Sequence, residues 1–142
     1  MKEKWRFFSL STGDGSIVCW GSNDAGQMTP PAGTFTFVSA GSQYTCGLKN
    51  DGTVACWGRN DLGQATVPGG TYTYVGAAYE HTCGVKTGGT VTCWGSDYYG
   101  QAEAPPGTFT SVTGGVGHTC GLKSDGSVLC WGDNSDGQAT PP

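Results

Sequence analysis

The chain has 142 residues, a common size for one compact domain, with 26 glycines, 13% charged side chains and a formal net charge of −4. Its 7 lysines and arginines form no cluster, which speaks against the basic surface that nucleic-acid binders use to replace phosphate counterions. No apolar run reaches the ~18 residues of a membrane span, and so much glycine without a Gly-x-y period implies tight turns rather than collagen.

Met1 to Leu10 carries positive charge and then Phe7 and Phe8, without the apolar core and small-residue cleavage site of a secretory leader. From Trp20 onward one phrase recurs: WGSNDAGQ, WGRNDLGQ from Trp57, WGSDYYGQ from Trp94 and WGDNSDGQ from Trp131, each 37 residues after the last. Pro31, Pro68, Pro105 and Pro142 keep the same spacing, as do Gly26, Gly63, Gly100 and Gly137, each followed by Gln (Pro142 ends the chain). The layout reads as one repeat domain over 1–142, with a partial blade at 1–32 and repeats at 33–69, 70–106 and 107–142.

Within a repeat the period is two. Phe35, Phe37 and Ser39 alternate with Thr36 and Val38 as a first strand, and Tyr44, Cys46 and Leu48 with Thr45, Gly47 and Lys49 as a second. Asn50-Asp51-Gly52 is a hairpin turn, Thr53 to Trp57 a third strand, and Gln64 to Val67 a short fourth before Pro68. Four short strands per ~40 residues predict an all-β propeller with four-stranded blades. Dividing the chain by the period leaves about 3.8 blades, which a second copy could complete into a ring.

The turn sets the hairpin register. Leu48 then faces Val54, Cys46 faces Cys56, Gly47 faces Ala55 and Thr45 faces Trp57. The tryptophans are expected to pack between blades. Three couples at ten-residue separation, Cys46/Cys56, Cys83/Cys93 and Cys120/Cys130, stand opposite one another and suit disulfides, with buried reduced thiols as the alternative. Cross-strand disulfides favour an oxidising compartment, extracellular or periplasmic. Cys19 has no mate, because Ser9 stands where the period calls for one. Phe8 and Leu10 stand where later copies have Thr and Gly, which moves the apolar residues of that first unit to its other face. Another chain could cover it.

No catalytic constellation, metal-ligand spacing or cofactor motif emerges, so the chain reads as a non-enzyme without cofactor. His81 and His118 occupy a slot that Tyr44 fills in another copy, which makes it a packing slot. Aspartates sit in turns, where their side chains bond nearby backbone. The letters that change between copies are Ser42-Gln43, Tyr79-Glu80 and Val116-Gly117, and the stretch after each tryptophan. Arg59, Leu62, Tyr79, Glu80, Tyr98 and Tyr99 are the candidate binding residues, since tyrosine, arginine and leucine in surface loops favour protein contacts.

Stretches such as YTCGLKNDGTVACWGRNDLGQ and HTCGLKSDGSVLCWGDNSDGQ resemble regulator-of-chromosome-condensation repeats, above all the short bacterial form. The resemblance implies a β-propeller, and the chain is expected to act as a binding or scaffold module with a protein partner; the lack of a basic cluster and of an apolar span gives the expectation of no nucleic acid and no membrane. The resemblance also admits a secreted inhibitor of an enzyme, as in the β-lactamase-inhibiting branch, and guanine nucleotide exchange, while the gapless repeats and the odd first unit admit a self-assembling structural blade set, a natural fragment or a design.

Overall fold

The computed structural model describes residues 7–142, built among those residues from β-strands and turns without a helix. The reading of Met1 to Arg6 as lacking a leader lies outside the described residues, as do the side chains of Phe7, Phe8 and Leu10.

Strands β1 (Phe7–Ser11) and β2 (Ile17–Gly21) form a two-stranded antiparallel sheet. Three three-stranded sheets follow. The first holds β3 (Phe35–Ala40), β4 (Tyr44–Lys49) and β5 (Val54–Gly58). The second holds β6 (Tyr72–Ala77), β7 (His81–Lys86) and β8 (Val91–Gly95), and the third β9 (Phe109–Gly114), β10 (His118–Lys123) and β11 (Val128–Gly132). Each sheet has its second strand in the middle, so consecutive hairpins make a meander.

The hairpin register is the expected one, with Leu48 paired to Val54, Cys46 to Cys56, Gly47 to Ala55 and Thr45 to Trp57, and the same offsets recur in β7–β8 and β10–β11. All three cysteine couples are disulfide-bonded rather than reduced: Cys46–Cys56, Cys83–Cys93 and Cys120–Cys130, with Cα atoms 4.0–4.1 Å apart. Cys46 and Cys83, on the middle strands, are buried, while their mates Cys56 and Cys93, on the third strands, are half-buried. Cys19 is a free thiol beside the Ser9 hydroxyl.

Two expectations need correction. The first concerns the fourth strand at Gln64 to Val67, which does not form, so the blades have three strands. The N–H groups that a ladder would use are spent in turns: Gly63 N–H reaches the Asn60 carbonyl, Ala65 N–H the Asn60 side chain and Thr66 N–H the Gly63 carbonyl. Pro68 has no N–H to offer. The second concerns the faces of β3. A bulge at Thr36 pairs Phe35 with Lys49 and Phe37 with Leu48, so Phe35 and Phe37 leave the sheet on opposite sides. The Thr36 hydroxyl donates to the Leu48 carbonyl at the extra position, and Thr73 and Thr110 repeat the contact.

The bulge recurs in each three-stranded sheet, and the stacked faces between these sheets are apolar. Tyr44, Cys46 and Leu48 of one sheet pack on Tyr72, Val75 and Trp94 of the next. Cys83 and Val85 of that sheet pack on Phe109 and Val112 of the third, with Cys93 at the edge of the same cluster. Glycine at 47, 84 and 121 makes room for the aromatic ring of the first strand: a Cβ at Gly47 would lie 2.5 Å from the Phe35 ring, with the same clash at Gly84 against Tyr72 and Gly121 against Phe109.

Candidate functional site

The seam between blades positions everything at their loop end. Each Gly-Gln step presents its glutamine carbonyl to the next blade. The Gln27 carbonyl accepts from Trp57 Nε1 at 2.9 Å and from the Thr45 hydroxyl at 3.2 Å. Gln64 does the same for Trp94 and Thr82, and Gln101 for Trp131 and Thr119. The glutamine side chain turns back to accept from the backbone N–H two residues earlier, at Ala25, Leu62 and Tyr99. Gln27, Gln64 and Gln101 are consequently buried, which the sequence reading did not foresee. The available signal was the recurrence of one polar residue at one register, since a polar side chain is usually buried where its groups find partners, as each glutamine Oε1 does here.

Glycine after each tryptophan brings the following loop against its neighbour. Gly58 has φ +106°, and a Cβ there would lie 2.6 Å from the Gln43 carbonyl, which accepts from Arg59 N–H. The loops after β5, β8 and β11 and the loops entering β4, β7 and β10 therefore share one end of the blade stack. Between the latter, Gly41-Ser42, Ala78-Tyr79 and Gly115-Val116 line an open hollow of about 350 Å³.

All six candidate binding residues lie in these loops, yet they are not equivalent. Arg59 is engaged, with ion pairs to Asp61 at 2.7 Å and Glu80 at 2.9 Å, so Arg59 and Glu80 neutralise each other across neighbouring blades. Leu62, Tyr79, Tyr98 and Tyr99 are exposed, Tyr98 by 86%. The Tyr98 and Tyr99 rings meet edge to face with centroids 5.0 Å apart. Val116, which the sequence marked only as a varying letter, is 65% exposed on the rim of the hollow. Among the described residues no three His, Cys, Asp or Glu side chains gather as a metal centre.

Beneath this end lies the Tyr44/His81/His118 slot. The Tyr44 hydroxyl accepts from Ala78 N–H and lies within hydrogen-bond distance of the Thr82 hydroxyl and the His81 carbonyl, bracing adjacent blades. In the next blade His81 Nε2 meets the Thr119 hydroxyl at 2.7 Å. That hydroxyl already donates to the Gln101 carbonyl, so it accepts from His81 Nε2–H, and the other ring nitrogen is buried with no partner. Burial first, and the neighbouring His118 second, push the His81 pKa down to about 4 from 6.5. Below 6.5 the unfolded chain takes up a proton that the folded chain refuses until about pH 4. Stability is therefore full above pH 6.5 and falls, by on the order of 3 kcal/mol, as pH drops toward 4. Urea unfolding at pH 7 and pH 4.5 measures the loss. Combining Ala78→Gly with His81→Tyr, which copies the Gly41/Tyr44 pair, should remove most of it. A single His81→Tyr would clash, because a Cβ at Gly41 would lie 2.2 Å from the Tyr44 ring and Ala78 carries that Cβ. An unchanged pH slope in the double variant would rule out His81 as the source.

Among solved structures, the chain is similar to the WD40 ectodomain of the Arabidopsis thaliana receptor kinase ACR4, at 28% identity and TM-score 0.73 over 89% of this chain and 46% of that one. It is similar to the ectodomain of the Physcomitrella patens receptor kinase CR4 at 29% identity and TM-score 0.76, over 89% and 38%. Prp20p from Saccharomyces cerevisiae superposes with TM-score 0.79 over 97% of this chain and 45% of that one, at 16% identity, a likeness of fold. The chain thus spans less than half the length of each. No curated protein sequence matches it. The pattern of the regulator of chromosome condensation (RCC1) repeat matches at residues 35–64, 73–101 and 109–138, one match per three-stranded sheet, and with the all-β meander this places the chain in the RCC1 repeat family.

Proposed function

We propose that the chain is a non-enzymatic binding or scaffold module that holds a protein partner on the loop end of its blades. The observation that carries the reading is the row of exposed apolar and aromatic side chains there, Leu62, Tyr79, Tyr98, Tyr99 and Val116, beside an open hollow. Tyrosine supplies large contact area at little entropic cost, and such residues dominate binding energy when buried by a partner. The opposite end offers polar Asp-Gly turns, where Asp51 and Asp125 are occupied in bonding Thr53 and Ser127. The structurally similar Prp20p has binding properties toward Gsp1p and histones, which is consistent with a protein-binding role for this fold. The three disulfides suit an oxidising compartment.

A photo-crosslinking residue at Tyr98 should capture a discrete protein from the native milieu, whereas the same residue at Asn50, at the opposite end, should not. With that protein purified, Tyr98→Ser/Tyr99→Ser should weaken binding about tenfold or more at unchanged thermal midpoint. Equal capture from both ends, or full affinity in the double variant, would reject the reading.

A further inference from the structure

The two ends of the blade stack differ in charge, and we propose that the loop end docks a basic segment of its protein partner, with an arginine seated over Tyr98 among Asp97, Glu103 and Asp133. The proposal rests on the loop-end reading and adds the chemistry of the occupant.

At the turn end the charges of the described residues balance. Lys49, Lys86 and Lys123 close β4, β7 and β10 and stand against Asp14, Asp51 and Asp125. Each lysine lies over the aromatic ring of its own blade's first strand. The loop end carries Asp24, Asp61, Asp97, Asp133 and Asp136 in the loops after the tryptophans, with Glu80 and Glu103 beside them. Its one described lysine or arginine, Arg59, is spent on Asp61 and Glu80. Asp97, Glu103, Asp133 and Asp136 have no ion-pair partner among the described residues.

The other repeats show that two of these charges are not demanded by the turn. In the second and fourth copies of the loop, Asn60 and Asn134 accept from the N–H of Ala65 and Ala139 and donate to the Thr66 and Thr140 hydroxyls at 2.9 and 3.0 Å. In the third copy Asp97 still accepts from Ala102 N–H, at 2.8 Å, but Glu103 takes the place of the threonine. Two carboxylates offer each other no donor and repel, so the pair that ties the neighbouring loops is replaced by one that gains from a cation. The Glu103 carboxylate reaches back toward Gly100, where a Cβ would lie 3.7 Å from Oε2.

Aromatic surface stands in the same place. Tyr98, where the last repeat has Ser135, is 86% exposed, and its ring meets that of Tyr99 edge to face. The Tyr99 ring covers Gly117, and Asp133 borders the same glycine: a Cβ there would lie 2.7 Å from the ring and 3.4 Å from Asp133 Cβ. Carboxylates therefore flank the tyrosine pair within its own loop and from the next blade. An exposed aromatic face with carboxylates at its edge suits a guanidinium, which stacks flat on the ring while its N–H fork meets the carboxylates. A lysine ammonium gains the charge but not the stacked plane. A neutral or acidic partner would desolvate these carboxylates without a counter-charge, so complementarity selects a basic one.

The probes are fluorescently labelled hexaarginine, hexalysine and hexaglutamate, titrated with the full chain at low salt and followed by anisotropy. Hexaarginine should bind, hexalysine about threefold or more weakly, and hexaglutamate not at all. Raising the ionic strength from about 10 to about 300 mM should weaken hexaarginine binding about tenfold or more. Asp97→Asn/Glu103→Thr copies the neighbouring repeats, so it should keep the near-ultraviolet circular dichroism while weakening hexaarginine about fivefold. Asp51→Asn/Asp125→Asn removes the same charge from the turn end and should leave binding within about twofold. Tyr98→Ser, which copies Ser135, should bring hexaarginine down to the hexalysine level. No hexaarginine binding at low salt, equal losses from the two double variants, or equal affinity for hexalysine would overturn the proposal. So would a protein captured at Tyr98 that binds the Asp97→Asn/Glu103→Thr variant at full strength, an outcome that leaves the loop-end reading standing. Failure of that reading shows instead as equal capture at Tyr98 and Asn50, and the basic occupant falls with it.

Discussion

Trp94→Ala is expected to cost about 3–5 kcal/mol, a large share of the stability of a domain of this size. The ring is buried at the seam, edge to face with Tyr72 at 6.0 Å and packed with Tyr44, Cys46 and Leu48 of the preceding blade. Its Nε1 donates to the Gln64 carbonyl at 3.0 Å. Removing it leaves a cavity between two blades and takes one of two donors from a buried carbonyl. Trp94→Phe separates these effects: most of the buried surface stays and the hydrogen bond goes, for about 1–3 kcal/mol. Urea unfolding of both variants measures the difference. A loss under about 1 kcal/mol for the alanine variant, well below the cavity cost, would show that the tryptophan does not hold blade to blade. Equal losses for both would assign the whole effect to the hydrogen bond.

Reduction of the disulfides is the second large effect. Each bridge closes a loop of about eleven residues, worth on the order of 3 kcal/mol in the chain-entropy account. Thiol titration in denaturant without reductant should find one free group per chain, Cys19, and reductant should raise the count to all 7 cysteines. The bridges should open in order of cover. In Cys46–Cys56 and Cys83–Cys93 one sulfur of each pair is buried against the following blade, whereas Cys120 and Cys130 lie on the open C-terminal face and should be reduced first. A count of 7 free thiols in protein folded under oxidising conditions would refute the pairing. Reduction of Cys46–Cys56 or Cys83–Cys93 ahead of Cys120–Cys130 would refute the protective role of blade stacking.

The hairpins were legible in the letters because their determinants are local. Asn50-Asp51-Gly52 turns the chain, and counting outward from the turn places Cys46 opposite Cys56 and Thr45 opposite Trp57, as the strands have them. The same count puts Cys83 opposite Cys93 one period later. The bulge at Thr36 was not legible. Strict alternation would have put Phe35 and Phe37 together, and only packing on both sides of the sheet rewards the slip that separates them. The expected fourth strand failed for a related reason: the backbone groups from Gly63 to Thr66 gain more from turns that bury Gln64 than from pairing at an edge.

The candidate binding residues show the same division. Variation between copies picked out Leu62, Tyr79, Tyr98 and Tyr99, and these are exposed on one end of the stack. It also picked out Arg59 and Glu80, but an ion pair spanning 21 residues holds both, and no count along the chain shows that two loops of adjacent blades meet.

Sequence was enough to specify the repeat, which is read by laying the chain on itself at a 37-residue offset, and the hairpin register and the cysteine couples, because these depend on residues within about a dozen positions of one another. The Trp-Gly and Gly-Gln steps were visible as a rhythm but not as a bond. Their joining, Trp57 to Gln27 and Trp94 to Gln64, spans 30 residues and exists because flat faces stack, bury a glutamine carbonyl and leave the next indole as a donor to satisfy it.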